Sequence, residues 1–233
     1  MTAAEIIEEL RPLGRESYKK VMLKHGVQEP CFGVKIEELK KIQKRIGKDY
    51  RLALDLYDTG NYDAMYLAGL ITDDARMTVR DLKRWLSRAN SEPLLGSTVP
   101  WVAAGSSHGW DVALEWIEAE PSAPAGWVTL SCLVSIKADA DLNLPKLKEL
   151  LARVGKTIHQ QTDCVRYAMN GFVIALGSYV KPLTSAALES AERIGRVEVD
   201  MSDTACQVPF APDYIRKIEQ RGTIGKKRKS VKC

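Results

Sequence analysis

The sequence predicts a soluble, all-α protein, a HEAT-like or armadillo-like helical repeat array in which helix pairs stack into an α-α superhelix. Three observations lead there. Apolar residues recur at three- and four-residue spacing in segment after segment. One stretch reappears at an offset of 40 residues. No run alternates apolar and polar residues in the way a half-buried strand requires; only Val197-Glu198-Val199 reads as a short extended piece.

The elements run in chain order. Met1 to Glu9 is acidic and helical in pattern, without the basic start and apolar stretch of a secretory signal. Ile36, Leu39, Ile42 and Ile46 form a stripe that ends at Gly47. Leu52, Leu54, Leu56 and Tyr57 lead across a Gly60-Asn61 break into Tyr62, Met65, Tyr66 and Leu70. Leu82, Trp85 and Leu86 belong to a helix that Thr78 and Asp81 start as an N-cap pair. Val112, Trp116 and Ile117 form a helix that stops before Pro121. Trp127 to Ile136 is almost wholly apolar, which predicts a central, buried helix. Leu144, Leu147, Leu150, Leu151 and Val154 come next, then Val165 to Val180 behind an N-cap at Thr162, then Ala187, Leu188, Ala191 and Ile194. Gly47, Gly155 and Gly195 each read as the left-handed residue just past a helix.

The repeat lies between Leu147-Lys148-Glu149-Leu150-Leu151-Ala152-Arg153-Val154-Gly155 and Ala187-Leu188-Glu189-Ser190-Ala191-Glu192-Arg193-Ile194-Gly195. The same offset lays the apolar helix around Trp127 over the one around Tyr167, and Lys44-Arg45-Ile46-Gly47 repeats the ending. A helix–turn–helix unit at this period is the HEAT or armadillo signature, and such units must stack because none buries its apolar face alone. The organisation read from the chain is one helical repeat domain over residues 1–212, then a C-terminal helix and basic tail over 213–233.

The chain carries 34 basic and 30 acidic residues, and their placement is uneven. Residues 216–233 hold eight basic groups against the single acid Glu219, and Arg11 to Arg51 holds twelve against five. The middle of the chain is acidic. Positive charge gathered in this way binds a phosphate backbone by releasing condensed counterions; it also suits a solvated tail and exposed helix faces. The residues that would contact DNA are Arg216, Lys217, Arg221, Lys226, Lys227, Arg228, Lys229 and Lys232, helped by the N-terminal basic helices. Cys31, Cys132, Cys164, Cys206 and Cys233 are scattered, with no C-x-x-C pair, and read as reduced thiols of a cytoplasmic protein. No apolar run reaches the length of a membrane span, so no membrane partner is expected.

Cys31-Phe32-Gly33-Val34-Lys35-Ile36 with Leu39-Lys40-Lys41-Ile42 resembles the opening motif of the bacterial DNA alkylation repair family. The resemblance continues through Ala53-Leu54-Asp55-Leu56-Tyr57 and Tyr62-Asp63-Ala64-Met65-Tyr66-Leu67-Ala68-Gly69-Leu70-Ile71. It resumes at Glu115-Trp116-Ile117, Ala125-Gly126-Trp127 and Val165-Arg166-Tyr167-Ala168-Met169-Asn170-Gly171-Phe172, and is weakest over about residues 88–110. It implies a HEAT-like fold and, in active members, an alkylpurine DNA glycosylase. That chemistry uses tryptophans against the deoxyribose, a carboxylate beside the cationic sugar and an arginine on the backbone. By the family's spacing the acid falls at Gly96, one tryptophan at Glu92, the arginine at Pro124 and the later tryptophan at Gly171 or Phe172. All four positions depart from the catalytic pattern, which leaves enzymatic activity uncertain and argues against base excision.

Trp110 and Asp111 form a displaced version of the tryptophan–acid motif, with Leu114 where the second acid would stand; they are the only catalytic candidates, and packing and a helix N-terminus are their other use. Trp116 and Trp127 read as core. His25, His108 and His159 have no motif around them. Asp200 and Asp203, with hydroxyls nearby, suit loop closure better than a cation site. No cofactor and no metal is expected. Three functions stay open: a module that binds duplex DNA by its phosphates, an active alkylpurine DNA glycosylase, and a helical-repeat scaffold for a protein partner.

Overall fold

The computed structural model describes residues 1–201 and 206–232. Thirteen α-helices run through the described residues. They are α1 (Ala3–Leu10), α2 (Glu16–Lys24), α3 (Ile36–Ile46), α4 (Tyr50–Asp58), α5 (Tyr62–Ile71), α6 (Val79–Arg88) and α7 (Val99–Gly105). Next come α8 (Gly109–Trp116), α9 (Ala123–Ile136), α10 (Leu144–Thr157), α11 (Asp163–Tyr179), α12 (Thr184–Ile194) and α13 (Ala211–Gln220). The only strand-like pairing among the described residues is an isolated antiparallel bridge between Gly14 and Val34. The contacts divide the chain into two compact units, Met1–His108 with Lys232, and Gly109–Val231.

In the first unit α5 is the centre. Tyr62-Asp63-Ala64-Met65-Tyr66-Leu67-Ala68-Gly69-Leu70-Ile71 has no polar face, and every residue of it is buried, as an all-round apolar helix requires. α1, α3, α4 and α7 pack on it. Asn61 caps its start by accepting the Ala64 N–H at 3.2 Å, just after the Gly60 break. Thr78 and Asp81 make the reciprocal capping box expected of them. Trp85 stacks on Tyr57 at 4.0 Å and 5°, and the Tyr57 hydroxyl donates to the Trp85 carbonyl at 2.9 Å.

In the second unit the forty-residue offset is visible as paired starts: α9 and α11 begin at Ala123 and Asp163, α10 and α12 at Leu144 and Thr184. α9 packs against α11, α10 against α12, and α13 closes on both α11 and α12. Gly126 lets α8 and α9 touch, since a Cβ there would meet the Ile117 nitrogen at 2.7 Å and the Ala113 carbonyl oxygen at 2.9 Å. That explains the small residue ahead of Trp127.

Two local expectations change. Gly47 and Gly195 end their helices at φ 73° and 71°, but Gly155 lies inside α10, which runs on to Thr157. The repeat therefore diverges at its last turn. Thr162 stands at the N-cap of α11 without a side-chain bond to it, and Asp163 instead accepts the Asp200 N–H at 2.9 Å and pairs with Arg166. Val197–Val199 makes no strand pairing among the described residues. The segment where the resemblance is weakest folds as a π-helical turn over Leu94–Thr98 that runs straight into α7, with Pro100 in the first turn of α7. Asp203 and Cys233 lie outside the described residues.

Candidate nucleic-acid interface

The C-terminal segment is built onto the second unit. Ile215 is fully buried and rests where Gly177 of α11 leaves room; a Cβ on Gly177 would meet Ile215 Cδ1 at 2.6 Å. Beyond α13 the chain turns at Gly222 and Gly225, and three bonds fasten it. The Gly225 N–H donates to the Ser178 carbonyl at 2.9 Å, the Arg228 N–H to the Ser135 carbonyl at 2.8 Å, and Lys227 Nζ to the Val134 carbonyl at 2.9 Å. These acceptors belong to the last turns of α11 and α9, where helix carbonyls have no partner of their own and the helix dipole is negative. Lys227 also pairs with Asp139 at 2.8 Å. In the first unit Lys232 repeats the arrangement: it pairs with Asp74 at 2.7 Å and donates to the carbonyl of Thr72, the C-cap of α5, at 3.4 Å. Asp74 and Asp139 each stand three residues past the end of their helix. Burial pushes the Asp74 carboxyl above the ordinary carboxylate range, and the Lys232 ammonium beside it works against that.

The eight cations expected to meet DNA therefore fall into two groups. Arg216 pairs with Glu192 and Asp213, Lys227 with Asp139 and Lys232 with Asp74. Lys217, Arg221, Lys226, Arg228 and Lys229 are exposed and have no carboxylate partner among the described residues. The Arg228 N–H is itself an anchor, Lys226 stands between the anchored Gly225 and Lys227, and both side chains stay exposed. Lys181 escapes a reading based on charge runs, because it stands alone in sequence; folding sets it against Gly225, whose Cβ would meet Lys181 Cβ at 3.2 Å.

None of the positions that would carry excision chemistry brings the expected side chain to an open surface. Phe172 is fully buried with its ring 5.2 Å from Trp127. Pro124 begins α9, Gly96 sits in the π-helical turn, and Gly171 faces open space. Trp85, Trp101, Trp116 and Trp127 are all buried. Trp110 is half-buried at the start of α8, and Asp111 is exposed in its first turn.

The opening motif has a structural reason. Asp63 is fully buried, and its carboxylate accepts backbone N–H groups from Phe32 at 2.6 Å, Gly33 at 3.3 Å and Val34 at 2.8 Å. Gly33 lies at φ 76°, a conformation that suits glycine and turns successive N–H groups toward one acceptor. Burial pushes the neighbouring Cys31 thiol up to about 12, with the Asp63 charge adding to it, so Cys31 is an inert thiol.

The profile of the DNA alkylation repair enzyme family matches residues 6–206. The chain belongs to this family. Uncharacterized proteins of Listeria monocytogenes and Listeria innocua are each 30% identical to it over 226 residues, 95% of this chain and 99% of theirs. A solved structure is 35% identical, covers 100% of both chains and superposes with a TM-score of 0.92. It represents a new family of proteins related to the HEAT-like repeat DNA glycosylases, with affinity for branched DNA structures. The all-α, HEAT-like fold of this DNA alkylation repair family member rests on both findings. No helix among the described residues is long and apolar enough to cross a membrane by itself.

Proposed function

We propose that this family member is a cytoplasmic DNA-binding protein that grips the phosphates of duplex arms, prefers branched structures and does not excise bases. One observation carries the reading: the C-terminal segment is fastened to helix ends by its own backbone and Lys227, while Lys217, Arg221, Lys226, Arg228 and Lys229 keep their charges exposed. A fixed row of cations recognises phosphate density, not sequence. A branch point brings the phosphates of several arms together, so the same row neutralises more charge there than on a linear duplex. The affinity for branched DNA of the 35% identical relative supports this preference. The absence of excision is supported by the tryptophans: Trp110 alone keeps a partly open face, and no acid of α8 other than exposed Asp111 and Glu115 accompanies it.

The test is fluorescence anisotropy with a four-way junction, a splayed fork and a linear duplex, titrated across roughly 50 to 200 mM salt. Tighter binding to the branched forms, falling steeply with salt, is expected. Absence of binding at the lowest salt, or binding indifferent to salt, refutes the phosphate reading. Incubation with alkylated DNA tests the second half: release of 7-methylguanine or 3-methyladenine above the spontaneous rate would restore the catalytic reading. A stable protein partner recovered without nucleic acid would favour the scaffold reading.

A further inference from the structure

The first unit contains an open cavity of about 210 Å³ lined by Tyr18, Val21, Met22, His25, Tyr62 and Tyr66, among others. It is smaller than the roughly 300–1,000 Å³ of sites for drug-sized ligands, and so suits one planar ring system. Its walls mix aliphatic side chains, Val27, Val34, Leu39 and Pro93 among them, with the three tyrosines. The rings of Tyr62 and Tyr66 lie 6.2 Å apart on successive turns of α5, and Trp101 supports Tyr66 edge-on at 5.5 Å and 87°. Its mouth is apolar and uncovered: Val21 is 49% exposed and Ile36 37%, among the largest exposures of apolar side chains in the chain.

The rim is cationic. Lys24 stands one turn beyond Val21 on α2, Lys40 one turn beyond Ile36 on α3, and Arg15 is the N-cap of α2. All three are exposed and have no carboxylate partner among the described residues. The neighbouring acids are largely engaged elsewhere: Glu29 by Lys19 at 2.7 Å, Glu37 by Lys35 at 3.7 Å and Glu38 by Lys41 at 2.8 Å, which leaves Glu16. An aliphatic or aromatic side chain of a protein would fill the cavity, but it gives no reason for the cations around it. A nucleotide uses both parts, the ring in the cavity and the flanking phosphates on the rim.

We infer that this cavity takes one unpaired nucleobase from the DNA, stacking it against the tyrosines while Arg15, Lys24 and Lys40 hold the adjoining phosphates. The inference rests on the DNA-binding reading above, since branch points are where unpaired bases stand exposed. No bond is made or broken. The hydroxyl of Tyr62, whose ionisation burial pushes above the ordinary tyrosine range, is a donor for a base edge.

The experiment is a double-mutant cycle between protein and DNA, using the full chain. The probe is a forked junction with one unpaired nucleotide at the branch, prepared with 2-aminopurine there or with an abasic site. Removing the base is expected to weaken binding of the unmodified protein roughly ten- to hundred-fold. It should change nothing further in Val21→Glu, whose position is exposed and tolerates the charge, or in Tyr18→Ala; thermal unfolding checks that both variants are folded. The 2-aminopurine fluorescence should be quenched by the unmodified protein and not by the variants. If the paired junction binds but the abasic change costs nothing, or costs the same in all three proteins, the cavity assignment is overturned and the phosphate reading stands. If no DNA binds, both fall together. Loss of a protein partner by Val21→Glu with the base effect intact overturns the cavity assignment as well.

Discussion

The division of the C-terminal cations into exposed and internally paired groups makes a quantitative demand on salt dependence. On B-DNA each neutralised phosphate contributes about −0.9 to the slope of log affinity against log salt. Lys217, Arg221, Lys226, Arg228 and Lys229 have no carboxylate partner among the described residues, so with every one engaged they contribute about −4.5. Replacing Lys226, Arg228 and Lys229 with glutamine should flatten the slope by up to about 2.7 and leave the melting temperature nearly unchanged, because exposed substitutions of this kind shift stability by about 0.5 kcal/mol at most. Replacing Lys227 and Lys232 should do the reverse. Both are engaged with carboxylates and helix-end carbonyls, so their loss should cost stability and leave the slope within about one unit of the parent. Anisotropy titrations at four salt concentrations, paired with urea unfolding, read both quantities. Equal flattening by the two sets would mean that the anchored lysines also leave their acids for phosphate, and the fixed-row argument would fail.

Four single positions supply further expected outcomes. Asp63→Ala strands the N–H donors of Phe32, Gly33 and Val34 and should cost about 3–6 kcal/mol at roughly 1–2 per donor. Asp63→Asn, which keeps one acceptor, should cost less, as read by urea unfolding; equal losses in the two variants would contradict the role given to this carboxylate. Lys232→Met leaves Asp74 with burial and without the charge that opposes it, so its raised carboxyl climbs further. An acid raised on folding costs nothing while protonated and costs more as pH rises from its ordinary 3.8, so the variant's deficit should grow upward from there and vanish in acid, as measured by unfolding across pH. Gly126→Ala should destabilise by about 1–3 kcal/mol, because its methyl group meets backbone atoms of α8. Gly171→Ala, facing open space inside α11, should stabilise by up to about 1 kcal/mol.

The fold was legible wherever the signal is local and periodic. The stripe from Ile36 to Ile46, the apolar run after Ala123 and the starts repeated forty residues apart describe single helices and their stacking, so side-chain spacing suffices to find them. Gly155 misled because its sequence context matches Gly195. The two positions diverge only in the residues after them, since Lys156 and Thr157 continue α10 where Arg196 leaves α12. α2 and α7 gave no clear stripe, and α7 is preceded by a π-helical turn that breaks the period.

The interface was legible only as charge. A run such as Lys226-Lys227-Arg228-Lys229 looks uniform in sequence, yet the chain path makes adjacent residues opposites: Lys227 turns into Asp139 while its neighbours stay exposed. The partners that decide it, Asp74 and Asp139, lie 158 and 88 residues away in sequence. Each comes just after a helix whose last carbonyls need donors, so the acids and the bare helix ends together select which lysines are held. The remaining cations are exposed because those sites are already taken. On this argument the segment's fastening and its capacity for phosphate have one origin, and a variant that frees the tail from Asp139 should loosen the row of cations before it changes their number.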